Sequence, residues 1–183
     1  MGWVTRATQT MYENAWIQVR EDRVTSPSGE DGIYGVVSMR HPAVFIVAVD
    51  HDERVCLVTM DRYTVGATTE VPAGGSDGED PLTAARRELR EETGFEADEW
   101  TELGSMNALN GIAEASEHVF LARALRPIAD SASTIASQAD EGIQSVEWVP
   151  FSTVLARIAD GSISDGETIA AIAMAGIRLG RFR

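Results

Sequence analysis

Three glutamates within one helical turn, Glu88, Glu91 and Glu92, constrain this chain more than any other feature. The helix that carries them is marked at both ends. Asp80 suits the N-cap, Pro81 the first helical position and Gly94 the left-handed exit, so the signals predict a helix over 81–93. Spacing of i, i+3 and i+4 puts the three carboxylates on one face, while Leu82, Ala85 and Leu89 fall on the adjoining face and can anchor the helix to a sheet. Like charges so close destabilise a bare helix by a few tenths of a kcal/mol per pair, about as much as opposite charges stabilise it. A hard cation held by carboxylate oxygens reverses that sign. Arg87 lies four residues before Glu91 and can hold one carboxylate in orientation. Taken alone, Glu-Glu-Thr-Gly more often describes a solvated acidic helix face, so the surroundings decide.

The chain has 183 residues, 44% of them hydrophobic, enough for one substantial core with a small accessory piece. No stretch approaches the roughly 20 apolar residues of a membrane span, and no signal-peptide run opens the sequence. The expectation is a soluble, cytoplasmic protein. A net charge of −14 argues against nucleic-acid and anionic-membrane partners. It leaves room for a small anionic substrate held by a local metal cluster, because a bound divalent cation dominates the field where it sits. Cys56, the sole cysteine, stands in the apolar run 55–58 and reads as a buried side chain. His41, His51 and His118 are too scattered for a metal set, and each reads as structural.

Alternation suggests strands at 12–24 and 33–39, separated by the turn-rich 26–32. Residues 43–49 and 55–60 are continuous apolar runs joined by the polar segment 50–53, and read as a buried hairpin. Later strands are predicted at 117–124 and 143–149, and helices at 151–160 and 166–178. Residues 126–140, rich in Ser, Ala and Asp, read as a long mobile loop. Strands and helices mix without a regular βαβ repeat, which favours an α+β class. The organisation expected is a β-element at 1–40 and a catalytic domain at 41–183.

Residues 73–79 followed by 87–95 resemble the Nudix box, Gx5Ex7REUxEExGU, where U is aliphatic. Every fixed position from Glu79 onward matches, with Phe95 at the final aliphatic place. Gly74 stands one residue too close to Glu79, so the entry loop is shorter by one. The resemblance implies an α/β/α sandwich and pyrophosphate hydrolysis with magnesium, or manganese in its place. It implies metal ligation by Glu88, Glu91, Glu92 and the Ala73 carbonyl.

Flanking segments 12–16, 61–63, 70–74 and 117–122 look like the ADP-ribose pyrophosphatase branch of that family. The branch implies a homodimer joined through the N-terminal β-element and a substrate such as ADP-ribose. Its general base comes from a loop glutamate whose position Glu141 matches, so Glu91 and Glu141 are the candidate catalytic carboxylates. Glu114 and Glu117 are rivals for the base. Arg62 offers a planar fork for phosphate, and Trp16 and Tyr34 are candidates to stack on a base, though isolated strand aromatics more often pack in cores. Asn110-Gly111 replaces the family's usual proline and glycine, which keeps other nucleoside diphosphate sugars open. Two further readings stay open: cleansing of an oxidised nucleoside triphosphate, and a non-catalytic regulator that binds ADP-ribose.

Overall fold

The structure is a computed structural model that describes residues 2–129 and 131–182, with only the backbone of 131–133. In chain order its elements are β1 (Val4–Glu13), β2 (Ile17–Thr25), β3 (Asp31–Met39), β4 (Ala43–Ala48), β5 (Arg54–Arg62), β6 (Gly66–Glu70), β7 (Ala73–Gly75), α1 (Pro81–Thr93), β8 (Phe95–Asn107), β9 (Ala113–Glu114), β10 (Ser116–Pro127), α2 (Ser131–Asp140), β11 (Ile143–Pro150), α3 (Phe151–Ala159) and α4 (Gly166–Leu179). They divide into two compact units, Met1–Pro42 with Met106–Glu117, and Ala43–Ser105 with His118–Arg183.

The first unit is a sheet in the order β1-β2-β3-β9. The single strand expected over 12–24 is two elements. Asn14 breaks it: its Oδ1 accepts the Trp16 and Ile17 N–H groups at 2.8 Å each, so the chain reverses and β1 pairs back on β2. β2 and β3 pair without a bulge from Ile17↔Met39 to Thr25↔Asp31, and β9 adds parallel to β3 at Val37↔Ala113. Arg20 closes on Glu114 through two 2.6 Å bonds, and Ser38 Oγ donates to the same carboxylate at 2.6 Å. β1 is exposed along its whole length.

The second unit holds two sheets, β7-β4-β10-β8 and β11-β5-β6. The buried hairpin expected from 43–49 and 55–60 is therefore corrected: β4 and β5 belong to different sheets, joined by one bridge, Val49↔Val55. A tight turn makes the crossing. Asp50 Oδ1 accepts from the N–H groups of Asp52 (3.0 Å) and Arg54 (2.8 Å), and its Oδ2 binds the Arg54 guanidinium. β4 throughout and β5 from Val55 to Val58 are apolar because both faces are covered there. Val44, Ile46 and Ala48 point toward Ala84, Ala85 and Leu89 of α1, in one cluster with Cys56 and Phe120. The intervening Phe45, Val47 and Val49 point the other way. There α4 packs on β4 with Ala171, Ile172 and Ala175 buried. Burial pushes the Cys56 thiol far up, which keeps it inert.

Residues 126–140, expected as a mobile loop, instead finish β10 and form α2; residue 130 lies outside the described residues. α3 and α4 occupy the predicted places, each within about a residue. Among the described residues no helix is long and apolar enough to cross a membrane.

Candidate metal and catalytic site

β7 is what brings the box glycine to the helix. Ala73, Gly74 and Gly75 pair with Phe45, Val44 and Ala43 of β4, and α1 packs on both strands. The close approach needs glycine: a Cβ on Gly74 would lie 2.2 Å from Cδ and Oε1 of Glu88. The shortened entry loop resolves as a tight turn in which the Glu79 N–H donates to the Ser76 carbonyl at 2.8 Å. Its central residues, Asp77 and Gly78, have φ of 50° and 85°, the positive pair that a type I′ turn demands and that Asp-Gly favours. Losing one residue thus leaves the helix entry undisturbed.

α1 begins and ends where its caps predict. Asp80 accepts from Leu82 N–H (3.1 Å) and Thr83 N–H (3.2 Å), and Gly94 exits at φ 75° with its N–H on the Arg90 carbonyl. The three glutamates differ in exposure. Glu88 and Glu92 are buried, at 5% and 1% exposed, and Glu91 is half-buried. Glu92 Oε2 accepts the Ala73 N–H at 3.0 Å, fixing the residue whose carbonyl is expected to ligate. Arg87 spans the cluster, donating to Glu79 (3.0 Å), Glu88 (2.8 Å), Glu91 (3.2 Å) and the Gly75 carbonyl (2.9 Å). The pairing of Arg87 with Glu91 read from the sequence is present, as one of four.

Glu141 follows α2, its N–H bonded to the Ser137 carbonyl at 3.0 Å. One oxygen from each of Glu88, Glu91 and Glu141 lies within 4.8 Å of the other two. Burial pushes Glu88 up to about 7 against the pull of Arg87, with the charges of Glu141 and Glu91 adding to the rise. Burial and then Glu141 hold Glu92 well above the usual carboxylate range, despite the Ala73 N–H. Four carboxylates therefore converge on a partly dry site with one arginine to balance them. That donor set, all oxygen and net negative, suits a hard divalent cation.

Arg62 ends β5, where Glu70 receives it through Nε (3.1 Å) and Nη2 (2.6 Å). Glu70 is 5% exposed and also accepts from Thr68 Oγ1 at 2.5 Å. No role was read for Glu70 from sequence, since a lone glutamate before Val-Pro carries no spacing signal. Trp16 and Tyr34 lie in the first unit. Trp16 is 71% exposed in the β1–β2 turn, whereas Tyr34 packs edge-on to Trp3, 5.6 Å between centroids, and donates its hydroxyl to the Gly111 carbonyl. Of the rival bases, Glu114 is held by Arg20 and Ser38, whose hydrogen bonds bring it down to about 2. Glu117 is buried. A second acidic group, Asp50, His51 and Asp52, sits in the β4–β5 turn, where Arg54 binds both aspartates.

The NUDIX domain family matches residues 39–172, nearly three-quarters of the chain. The chain belongs to the Nudix family. Ahead of that match, the nucleoside diphosphate sugar hydrolase N-terminal domain family covers residues 3–37. An ADP-ribose pyrophosphatase of Mycobacterium tuberculosis is 32% identical over 172 residues, which span 92% of this chain and 80% of the relative. An ADP-ribose pyrophosphatase of Bacillus subtilis is 29% identical over 171 residues, 92% of this chain and 89% of the relative. Among solved structures, an ADP compounds hydrolase superposes with a TM-score of 0.82 at 19% identity, over 98% of this chain and 95% of the other, and so shares the fold. The protein is thus a Nudix hydrolase of α+β architecture, with α1 as its Nudix helix.

Proposed function

We propose that this Nudix hydrolase splits ADP-ribose into AMP and ribose 5-phosphate with magnesium, manganese serving in its place, and that it works as a homodimer. The observation that carries the reading is the convergence of Glu88, Glu91 and Glu141 beside the buried Glu92. Glu88, Glu91, Glu92 and the Ala73 carbonyl would hold the cation. When bound, it neutralises charge developing on the diphosphate oxygens. Arg87 keeps Glu88 and Glu91 turned inward, and the Ala73 N–H does the same for Glu92. Glu141 takes the proton of the attacking water, a task suited to a carboxylate at the end of a separate helix from the ligands. Arg62, pre-set by Glu70 and with Nη1 free of hydrogen bonds among the described residues, grips a substrate phosphate. The exposed Trp16 offers a face for the adenine, with Tyr34 as the other aromatic candidate for that contact.

The test is product analysis with purified protein and magnesium on ADP-ribose, NADH, ADP-glucose and oxidised dGTP. The reading expects AMP and ribose 5-phosphate from ADP-ribose at the highest kcat/KM, and loss of that activity in Glu88→Gln and Glu92→Gln. Full magnesium-dependent hydrolysis by those variants would sink it. A second reading, hydrolysis of a different nucleoside diphosphate sugar, is favoured by the family matched at residues 3–37. It predicts that ADP-glucose outruns ADP-ribose.

A further inference from the structure

A cavity of about 610 Å³ opens on the side of α1 away from Glu88, Glu92 and Glu141, none of which line it. Its volume lies in the range of small-molecule sites. Its walls carry four arginines, Arg86, Arg87, Arg90 and Arg126, against three carboxylates, Glu91, Glu96 and Asp98, in a chain whose net charge is −14. Arg86 and Arg90 stand one turn apart on α1, both exposed, and neither has a carboxylate partner among the described residues. Like charges at that spacing repel. The acids nearby are already matched: Glu91 by Arg87, and Glu96 and Asp98 by Arg126, which also lines the cavity. Arg86 is further held over the Trp100 ring, 6.0 Å from its centroid, so its guanidinium is pre-oriented. Across from these arginines the cavity is lined by Thr134 and Ser137 of α2.

We propose that this cavity binds the phosphomonoester group of a small molecule, with Arg86 and Arg90 as its guanidinium donors. Guanidinium forks match phosphate oxygens two at a time. Inorganic phosphate shares that chemistry but fills a small part of the volume, so a sugar phosphate or nucleoside monophosphate is the better fit. The cavity shares Arg87 and Glu91 with the metal site but is lined by none of Glu88, Glu92 and Glu141, and its recognition by Arg86 and Arg90 does not depend on ADP-ribose being the substrate.

The experiment is calorimetric titration of the full chain in EDTA, with ribose 5-phosphate, AMP and inorganic phosphate as separate probes, against Arg86→Ala, Arg90→Ala and Arg62→Ala. Expected are saturable one-to-one binding of a phosphomonoester tighter than inorganic phosphate, a loss of affinity of about tenfold in each of the first two variants, and no change in Arg62→Ala. Thermal melts confirm that each single variant is folded. Inorganic phosphate binding as tightly as the esters would assign the cavity to the free anion and overturn the phosphomonoester. No saturable binding, or binding that survives both Arg86→Ala and Arg90→Ala, would overturn the site. Binding lost equally in Arg62→Ala would place the ligand at the substrate position instead.

Discussion

Gly74 and Glu88 compete for one volume. A Cβ on Gly74 would meet the Glu88 carboxyl carbon at 2.2 Å, and the object struck is the end of a side chain, which can move. Gly74→Ala should therefore cost little stability, about 1 kcal/mol, while rotating Glu88 away from Glu91 and Glu141. Kinetics at saturating magnesium should show a fall in kcat on the order of tenfold to a hundredfold; unchanged kcat would mean that the position of Glu88 is immaterial. Glu88 itself carries the opposite balance. It is buried among like charges and pushed up to about 7, so its ionised form strains the metal-free protein. Glu88→Gln should raise the metal-free Tm at pH 8 by roughly 2–4 °C, the equivalent of about 1 kcal/mol in a domain of this size. The same variant should lose most of the Tm gained from magnesium, and most of the activity. Equal magnesium gains in the two proteins would remove Glu88 from the cation site.

At the scale of elements, legibility followed how local the signal was. α1 could be bounded because Asp80, Pro81 and Gly94 act within one turn of themselves. β4 and β5 were readable as buried strands, yet their partners were not, since an apolar run records that both faces are covered and says nothing of which sheet covers them. α2 was missed because its apolar positions, 132, 135, 136 and 139, have helical spacing but are alanines except for Ile135, a weak hydrophobic signal in a Ser-rich stretch. Its place comes from tertiary contacts instead: the Gln138 amide donates to the Glu92 carbonyl at 2.7 Å, filling an acceptor that the end of α1 leaves open. Since Glu141 follows α2, Gln138→Ala should lower kcat by about tenfold with KM little changed, and an intact kcat would detach Glu141 from that anchor. β9 is fixed to the first unit by charge. Hydrogen bonds from Arg20 and Ser38 bring Glu114 down from 4.5 to about 2. A depressed carboxylate contributes stability that is complete above its unfolded value and lost as pH falls through its folded one. The stability advantage of wild type over Glu114→Gln in urea melts should thus be present at pH 6 and fade between about pH 4.5 and pH 2. It should be small, because Glu114 is more than half exposed.

For the molecule as a whole, the candidate site was largely written in one contiguous segment, and the structure adds what sequence order conceals: β7 beside α1, Glu141 arriving from 50 residues beyond Glu91, and Glu70 against Arg62. The first unit poses a different problem. Val24 and Val36 are its buried apolar side chains, while Trp3, Met11, Tyr12, Trp16 and Ile33 are each more than half exposed. A sheet with that balance buries too little to hold itself together, and an open edge such as β1 invites pairing. A second copy of the chain is the occupant proposed above, and the apolar residues supply its driving force. Met11→Glu with Ile33→Glu would place two charges on that surface. Light scattering should find wild type at twice the chain mass of 19.8 kDa and the double variant at the monomer mass, with a lower Tm. Burying the apolar face and burying the edge are separable, because Thr8→Pro removes a backbone donor from β1 while leaving every exposed apolar side chain in place. If assembly runs through the face, the proline variant stays dimeric while the glutamate pair does not; a wild type that is monomeric at micromolar concentration would discard the dimer altogether.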